Sequence, residues 1–365
     1  MRCNDLSIYI HFPYCKSRCP YCDFFRGILP KDFNELDFIQ KYLDDIDFMK
    51  SKCGDINIRS IFFGGGTPSL LSANSVCVIL DKISKNFRID DDVEISIEAN
   101  PNSYDKIKFE DFSKAGINRL SLGVQALNSD DLRFLGRTHS YSDAMLAIES
   151  GKTLFDKFSI DLIYARPKQN FDEWQKEIDL ALNMGLKHIS LYQLTLEEGT
   201  IFERKKIQML DEENAINMYN DTVDYLKLNG FERYEVSNFA KDDYNICKHN
   251  MVYWQGGNYW GIGVGAHGRV ILDNKIYAQF DGREFEQLTK NERAEELIIM
   301  GLRIKDGVNK DNFYEACGLR LFDFISEDRI EYLKKLELLD LNDSGIKLTD
   351  KGFCVMDKVI LDLCS

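Results

Sequence analysis

LSIYIHFPYCKSRCPYC, residues 6–22, is the stretch on which the fold turns: a run of β-branched and aromatic residues that opens directly into three clustered cysteines. LSIYIHF (6–12) has the composition of a strand. Five further runs share it: NIRSIFFG (57–64), VEISIEA (93–99), NRLSLGV (118–124), KFSIDLIY (157–164) and KHISLYQL (187–194). Between them lie segments with helical spacing of apolar residues, such as DFIQKYLDDIDFMK (37–50), SANSVCVILDKISKNF (72–87) and FDEWQKEIDLALNMG (171–185). Strand alternating with helix at this spacing implies βαβ units and a parallel sheet. With no doubly wound glycine fingerprint, a partial (βα)6 barrel is favoured over an open sheet.

Chemistry in such a barrel gathers at the carboxyl ends of the strands. The cysteine loop follows the first strand and GGGTPS (64–69) the second. Glu98 and Asn100 close the third, Gln125 the fourth, Asp161 lies late in the fifth, and Tyr192 and Gln193 end the sixth. Turns are polar in any protein, but a carboxylate or amide inside an apolar strand end is costlier than a turn residue. These positions are read as one site on one rim.

Cys15, Cys19 and Cys22 supply three ligands where a closed structural zinc site uses four. His11 could complete a Cys3His set, although zinc spacing usually pairs two separated couples. A [4Fe–4S] cubane needs one external ligand per iron, so three thiolates leave one iron open to an arriving ligand. Cys-x3-Cys-x2-Cys with an aromatic residue, here Tyr21, before the last cysteine is the signature of radical S-adenosylmethionine (SAM) proteins. Gly64, Gly65 and Gly66 would let a ligand approach the backbone without Cβ obstruction, and Thr67 adds a hydroxyl. Glu98 could accept from an ammonium or diol, Gln125 and Asp161 could bond hydroxyls or adenine edges, and Arg137 could meet a carboxylate. Taken singly, Glu98 or Arg137 would more often be a surface ion pair.

The net charge of −14 opposes a nucleic-acid partner, which needs a basic face. No run approaches the roughly 18 apolar residues of a membrane span, and MRCNDLSIYIHF lacks the order of a signal peptide. A cytoplasmic location is expected. The other seven of the ten cysteines are scattered singly and are given no role.

The alternation stops near residue 235, which divides the chain into a core (1–235), an aromatic and glycine-rich connecting segment (236–290) containing HNMVYW, and a helical C-terminal domain (291–365). LLDLNDSGIKL (338–348) reads as a hairpin among the last helices, so that domain is expected to be winged-helix-like. Its acidic surroundings favour a packing or partner role over DNA binding.

IYIHFPYCKSRCPYCDFF (8–25), FFGGGTPSLL (62–71), EISIEANP (94–101), RLSLGVQ (119–125), GRTH (136–139), SIDLIY (159–164), YEVSNFA (234–240), GLRIKDGV (301–308) and LTDKG (348–352) together resemble the oxygen-independent coproporphyrinogen III oxidase-like radical SAM family, and within it the HemW branch of heme chaperones. The resemblance implies a three-quarter barrel holding a [4Fe–4S] cluster on Cys15, Cys19 and Cys22. It also implies SAM contacts from Tyr9, Gly65, Gly66, Thr67, Glu98, Gln125, Arg137 and Asp161. Phe24 stands where the oxidases carry a fourth cysteine, and only 14 residues precede Cys15 where they have an extension. HNMVYW (249–254) looks like the HNxxYW motif associated with heme, which makes His249 the heme residue with His267 in competition. On physics alone, His249 reads either as an axial ligand flanked by Tyr253 and Trp254 or as a core histidine among packed aromatics. His11 is expected to support the strand end, and His139 and His188 receive no role. LIYARP (162–167) departs from the family's LIYGLP at Ala165 and Arg166.

Two functions follow. One is a chaperone that binds heme, carries a cluster and SAM, and passes heme to an acceptor protein, one in a membrane included. The other is the oxidative decarboxylation of coproporphyrinogen III by radical chemistry. Phe24, the short N-terminus and HNMVYW favour the first.

Overall fold

Runs of β-branched residues become strands where burial repays them, and the six expected strands form in place: β1 (Asp5–Phe12), β2 (Asn57–Gly65), β3 (Arg88–Ala99), β4 (Arg119–Gln125), β5 (Lys157–Tyr164) and β6 (His188–Gln193). The computed structural model describes residues 5–24, 26–101 and 106–364; Cys3 and Phe25 lie outside the described residues. All five neighbouring pairs from β1 to β6 are parallel. Helices α1 (Glu35–Cys53), α2 (Ala73–Asn86), α3 (Lys106–Lys114), α4 (Tyr141–Leu154) and α5 (Phe171–Asn183) make the crossovers. Their starts are written locally: Asn34 caps α1, and Ser140 with Asp143 and Asn170 with Glu173 form capping boxes on α4 and α5.

The segment read as a connection also joins the sheet. After α6 (Glu212–Leu228) come β7 (Glu232–Arg233), β8 (Asn238–Ala240), α7 (Lys248–Trp254), β9 (Tyr259–Ile262), β10 (His267–Leu272), β11 (Lys275–Phe280) and β12 (Glu284–Leu288). The twelve-stranded order is β12-β11-β10-β9-β1-β2-β3-β4-β5-β6-β8-β7. β9 adds a seventh parallel strand beside β1, with Ile8 opposite Trp260 and Ile10 opposite Ile262. The parallel strands form a partial barrel whose sheet ends at β12 and β7.

A separate apolar core, from Ala294 to Leu363, belongs to the C-terminal part. It contains α8 (Lys290–Gly301), β13 (Val308–Asn309), α9 (Lys310–Cys317), α10 (Glu327–Lys335), β14 (Leu339–Asn342), β15 (Gly345–Leu348) and α11 (Met356–Cys364). β14 and β15 form the expected hairpin, and Asn342 turns it by accepting from the Ser344 and Gly345 amides. Helices with a three-stranded wing make this domain winged-helix-like.

α7 and the residues before it pack against a buried polar row formed by Ser60, Glu94, Arg119 and Lys157. Arg119 donates to Glu94 Oε2 at 3.4 Å and to the Asn245 carbonyl at 3.0 Å, while Lys157 reaches Glu94 Oε2 at 3.1 Å. Segment 242–254 is thereby held against one end of the parallel strands. The other end, where the strands terminate, remains open and forms the rim.

Candidate cofactor site

The rim holds a cavity of about 440 Å³. Cys15, Cys19 and Cys22 line it together with Gly65, Gly66, Thr67, Glu98, Gln125, Arg137 and Asp161, and Asn100, Tyr192, Gln193 and Phe24 complete the wall. Residues up to 178 positions apart in the sequence meet here because six strands end on one edge. Tyr9 does not line the cavity; its hydroxyl meets His11 Nδ1 at 3.0 Å one layer below. His11 does not line it either, so the Cys3His alternative for zinc is not assembled.

Each thiol has its own donor. Thr67 Oγ1 donates to Cys15 Sγ at 3.4 Å and accepts from Asn100 Nδ2 at 2.9 Å. Arg137 Nη1 donates to Cys19 Sγ at 3.3 Å, and Arg26 Nε donates to Cys22 Sγ at 3.0 Å. Donors on sulfur stabilise the thiolate that binds metal and orient it. Among the described residues no three Cys, His, Asp or Glu side chains converge as ligands of one ion. A cubane makes a different demand, one thiolate per iron, and three donor-backed thiols in one loop beside an open cavity suit it.

The glycines also serve the packing of the cysteine loop. A Cβ on Gly65 would lie 2.6 Å from His11 Cε1, and its φ is +109°; a Cβ on Gly66 would lie 2.5 Å from the Tyr14 carbonyl oxygen. Their missing side chains admit the cysteine loop, while both residues line the cavity. The Gly66 amide donates to Phe12 O at 2.7 Å and the Thr67 amide to Tyr14 O at 2.8 Å, which ties β2 to that loop. Gln125 holds φ at +76°, an uncommon conformation for a side-chain-bearing residue, where β4 shifts register against β5. Arg137 also donates to Gly123 O and Asn100 Oδ1, and so ties the loop to the ends of β3 and β4.

Of the four carboxyls that line this cavity, Asp23, Glu98, Asp161 and Glu197, two are strongly perturbed by burial. Burial pushes Glu98 up to about 8, the charge of Asp161 adds to the rise, and the Gly65 amide offsets part of it. Burial pushes Asp161 up to about 6 against the hydroxyls of Ser190 and Ser121. The folded chain thus keeps a proton on Glu98 that the unfolded chain releases. This stabilisation is complete below about 4.5 and is lost as pH rises through about 8. The ligand-free melting temperature is therefore expected to fall between about pH 5.5 and 8, and Glu98→Gln to remove that part of the slope. Equal slopes would assign it to other groups. A bound ammonium would reverse the sign by favouring the ionised carboxylate.

The comparisons agree with this geometry. A Radical SAM superfamily model matches residues 9–181 and a HemN C-terminal domain model matches residues 288–355. A heme chaperone HemW from Buchnera aphidicola is 40% identical, covering 86% of this chain and 87% of that one. The chain belongs to the HemW-like radical SAM family. A mitochondrial radical S-adenosyl methionine domain-containing protein 1 from Danio rerio is 34% identical over 98% of this chain and 86% of its own. The structure of coproporphyrinogen III oxidase (HemN) from Escherichia coli superposes with a TM-score of 0.81 over 99% of this chain and 90% of that chain; at 19% identity the likeness is one of fold.

Within that family frame the HNMVYW segment divides. His249 is completely buried; its Nδ1 meets Ser60 Oγ at 2.8 Å and its Nε2 meets the Tyr253 hydroxyl at 2.5 Å. Its ring stacks on Phe62 at 5.1 Å between centroids. Binding an iron would require one nitrogen to give up its partner and the segment to open. Trp254 instead lines a separate cleft against Val308, Phe313 and Lys347 of the C-terminal domain. His267, at the start of β10, is the one exposed histidine of the five. His139 bonds the Val124 carbonyl and His188 the Tyr234 hydroxyl.

The LIYARP departure is accommodated with strain. Ala165 takes a φ of +56°, which costs an L-residue about 1 kcal/mol. Arg166 is buried and pairs with Glu177 and with Asp131 at 3.3 Å. Arg26 was missed in the sequence; an arginine four residues past the last cysteine was its only signal.

Proposed function

We propose that this chain carries a [4Fe–4S] cluster on Cys15, Cys19 and Cys22, binds SAM in the rim cavity, and holds heme for transfer to an acceptor protein. The observation that carries the cluster and SAM is the arrangement of three thiols, each with its own hydrogen-bond donor, at one side of a cavity whose remaining walls mix apolar side chains with Glu98, Gln125, Arg137 and Asp161. When bound, a cluster with one open iron supplies one-electron reduction to the ligand on that iron. The chain's residues bind and orient: Arg137 and Asn100 fix the loop, and Glu98 and Asp161 offer acceptors to an ammonium and hydroxyls. The heme reading rests on relatives named heme chaperones and on position 24. There Phe24, 67% exposed, borders the cavity where a fourth thiol would favour decarboxylation. Among the described residues no helix is long and apolar enough to cross a membrane, so transfer to a membrane-bound acceptor would occur by docking.

One anaerobic reaction tests the proposal, with reconstituted protein, SAM, a low-potential reductant and coproporphyrinogen III, analysed for 5′-deoxyadenosine and porphyrins. No decarboxylated porphyrin is expected, while the same preparation binds hemin. Decarboxylated product would make the chain an oxidase.

A further inference from the structure

A second cavity, of about 630 Å³, lies on the other side of the cysteine loop. Its apolar wall is aromatic: Tyr14, Phe38 and Tyr42 line it, and Phe12 and Phe33 pack behind them with centroids 5.3–6.1 Å apart. Its acids are already engaged. Asp45 accepts from Arg283 Nε at 2.6 Å and from the Gly263 amide at 3.2 Å, and Asp281 accepts from the Gly265 amide at 2.5 Å. Of its cations, Arg283 is taken up by Asp45, Lys41 is exposed at the edge, and Arg26 lies at the inner wall.

Arg26 belongs to both cavities. Its Nε donates to Cys22 Sγ at 3.0 Å and its Nη2 to the Cys22 carbonyl at 3.0 Å. A carboxylate arriving from the second cavity would compete with the sulfur for this guanidinium, because charge-assisted pairs with carboxylates are among the stronger hydrogen bonds. Donors on a cluster's sulfurs raise its potential by stabilising the more negative reduced state. Withdrawing the donor lowers it.

We propose that the second cavity receives a planar aromatic ligand bearing carboxylates, the chemistry of a porphyrin with its propionates, and that Arg26 relays its arrival to Cys22. The location rests on the reading that this chain carries heme; the relay concerns only Arg26 and the sulfur. Cargo loading and the electron supply of the rim would then be linked through one side chain.

The test uses the full-length chain, reconstituted anaerobically. Hemin is titrated by absorbance, and the cluster potential is followed by EPR with protoporphyrin IX, which has the propionates without a redox-active iron. Lys41→Glu is expected to weaken hemin binding about tenfold with cluster absorption unchanged. Arg26→Gln is expected to lower the cluster potential by about 59 mV, a tenfold change in the one-electron ratio. Protoporphyrin IX should lower the parent's potential in the same direction and leave that of Arg26→Gln unmoved; its dimethyl ester should do neither. Unchanged hemin affinity in Lys41→Glu would overturn the site while leaving the chaperone reading standing. An equal porphyrin effect in parent and Arg26→Gln would overturn the relay. No hemin binding by the parent would remove the heme reading and the site together.

Discussion

Replacing Cys19 by Ala is expected to abolish the broad visible absorption that anaerobic reconstitution with iron and sulfide gives the parent. Cys19 is the middle thiol of the loop and the acceptor of Arg137 Nη1 at 3.3 Å. A cubane held by three thiolates cannot lose one without exposing a second iron, and the alanine also leaves a buried guanidinium with one acceptor fewer. Cluster content should drop at least tenfold, with far-ultraviolet circular dichroism unchanged, because Cys19 is only half-buried and lies in a loop. Cys77→Ala, on α2 and away from the cavity, is the control and should reconstitute like the parent. An unchanged spectrum in Cys19→Ala would remove the cluster assignment.

What was legible follows from the range of the forces involved. The six strands could be read from composition because each contains a run rich in β-branched and aromatic residues, and the hairpin at Asn342–Gly345 because its turn is written in four adjacent residues. β9 could not. Tyr259–Ile262 is short and glycine-flanked, and its four-residue parallel register is with β1, some 250 residues earlier. The site shows the same division. The cysteines and Gly65–Thr67 form local motifs, but the matching of Cys15 to Thr67 and of Cys19 to Arg137 spans 52 and 118 residues. The glycines could be picked out while the close approach of the cysteine loop to them could not, since what fills the place of a missing Cβ depends on packing. For His249 the motif identified the residue and the fold supplied its surroundings.

Replacing His249 by Ala is expected to destabilise the chain by about 3–5 kcal/mol, because it opens a cavity in place of a fully buried ring and removes the hydrogen-bond partner of the Tyr253 hydroxyl. Ser60 Oγ donates to Ser7 Oγ at 2.8 Å, so it accepts from His249 Nδ1–H and leaves Nε2 to accept from Tyr253. Burial pushes the imidazole down to about 3, which keeps it neutral near pH 7. The loss should appear in chemical unfolding, be full above about pH 7 and shrink as pH falls below about 6.5, because there the unfolded parent gains a proton on this histidine that the folded parent does not. Hemin distinguishes the two roles at a temperature where the variant remains folded. With the ligand in the second cavity, whose lining contains neither residue, His249→Ala and Tyr253→Phe should both bind hemin within about twofold of the parent. If the iron instead sits on His249, the alanine variant would lose binding more than tenfold while Tyr253→Phe, which frees Nε2, would bind more tightly. That result would mean that segment 242–254 leaves the barrel whenever heme is loaded, and that Glu94, Arg119 and Lys157 form the latch it must release.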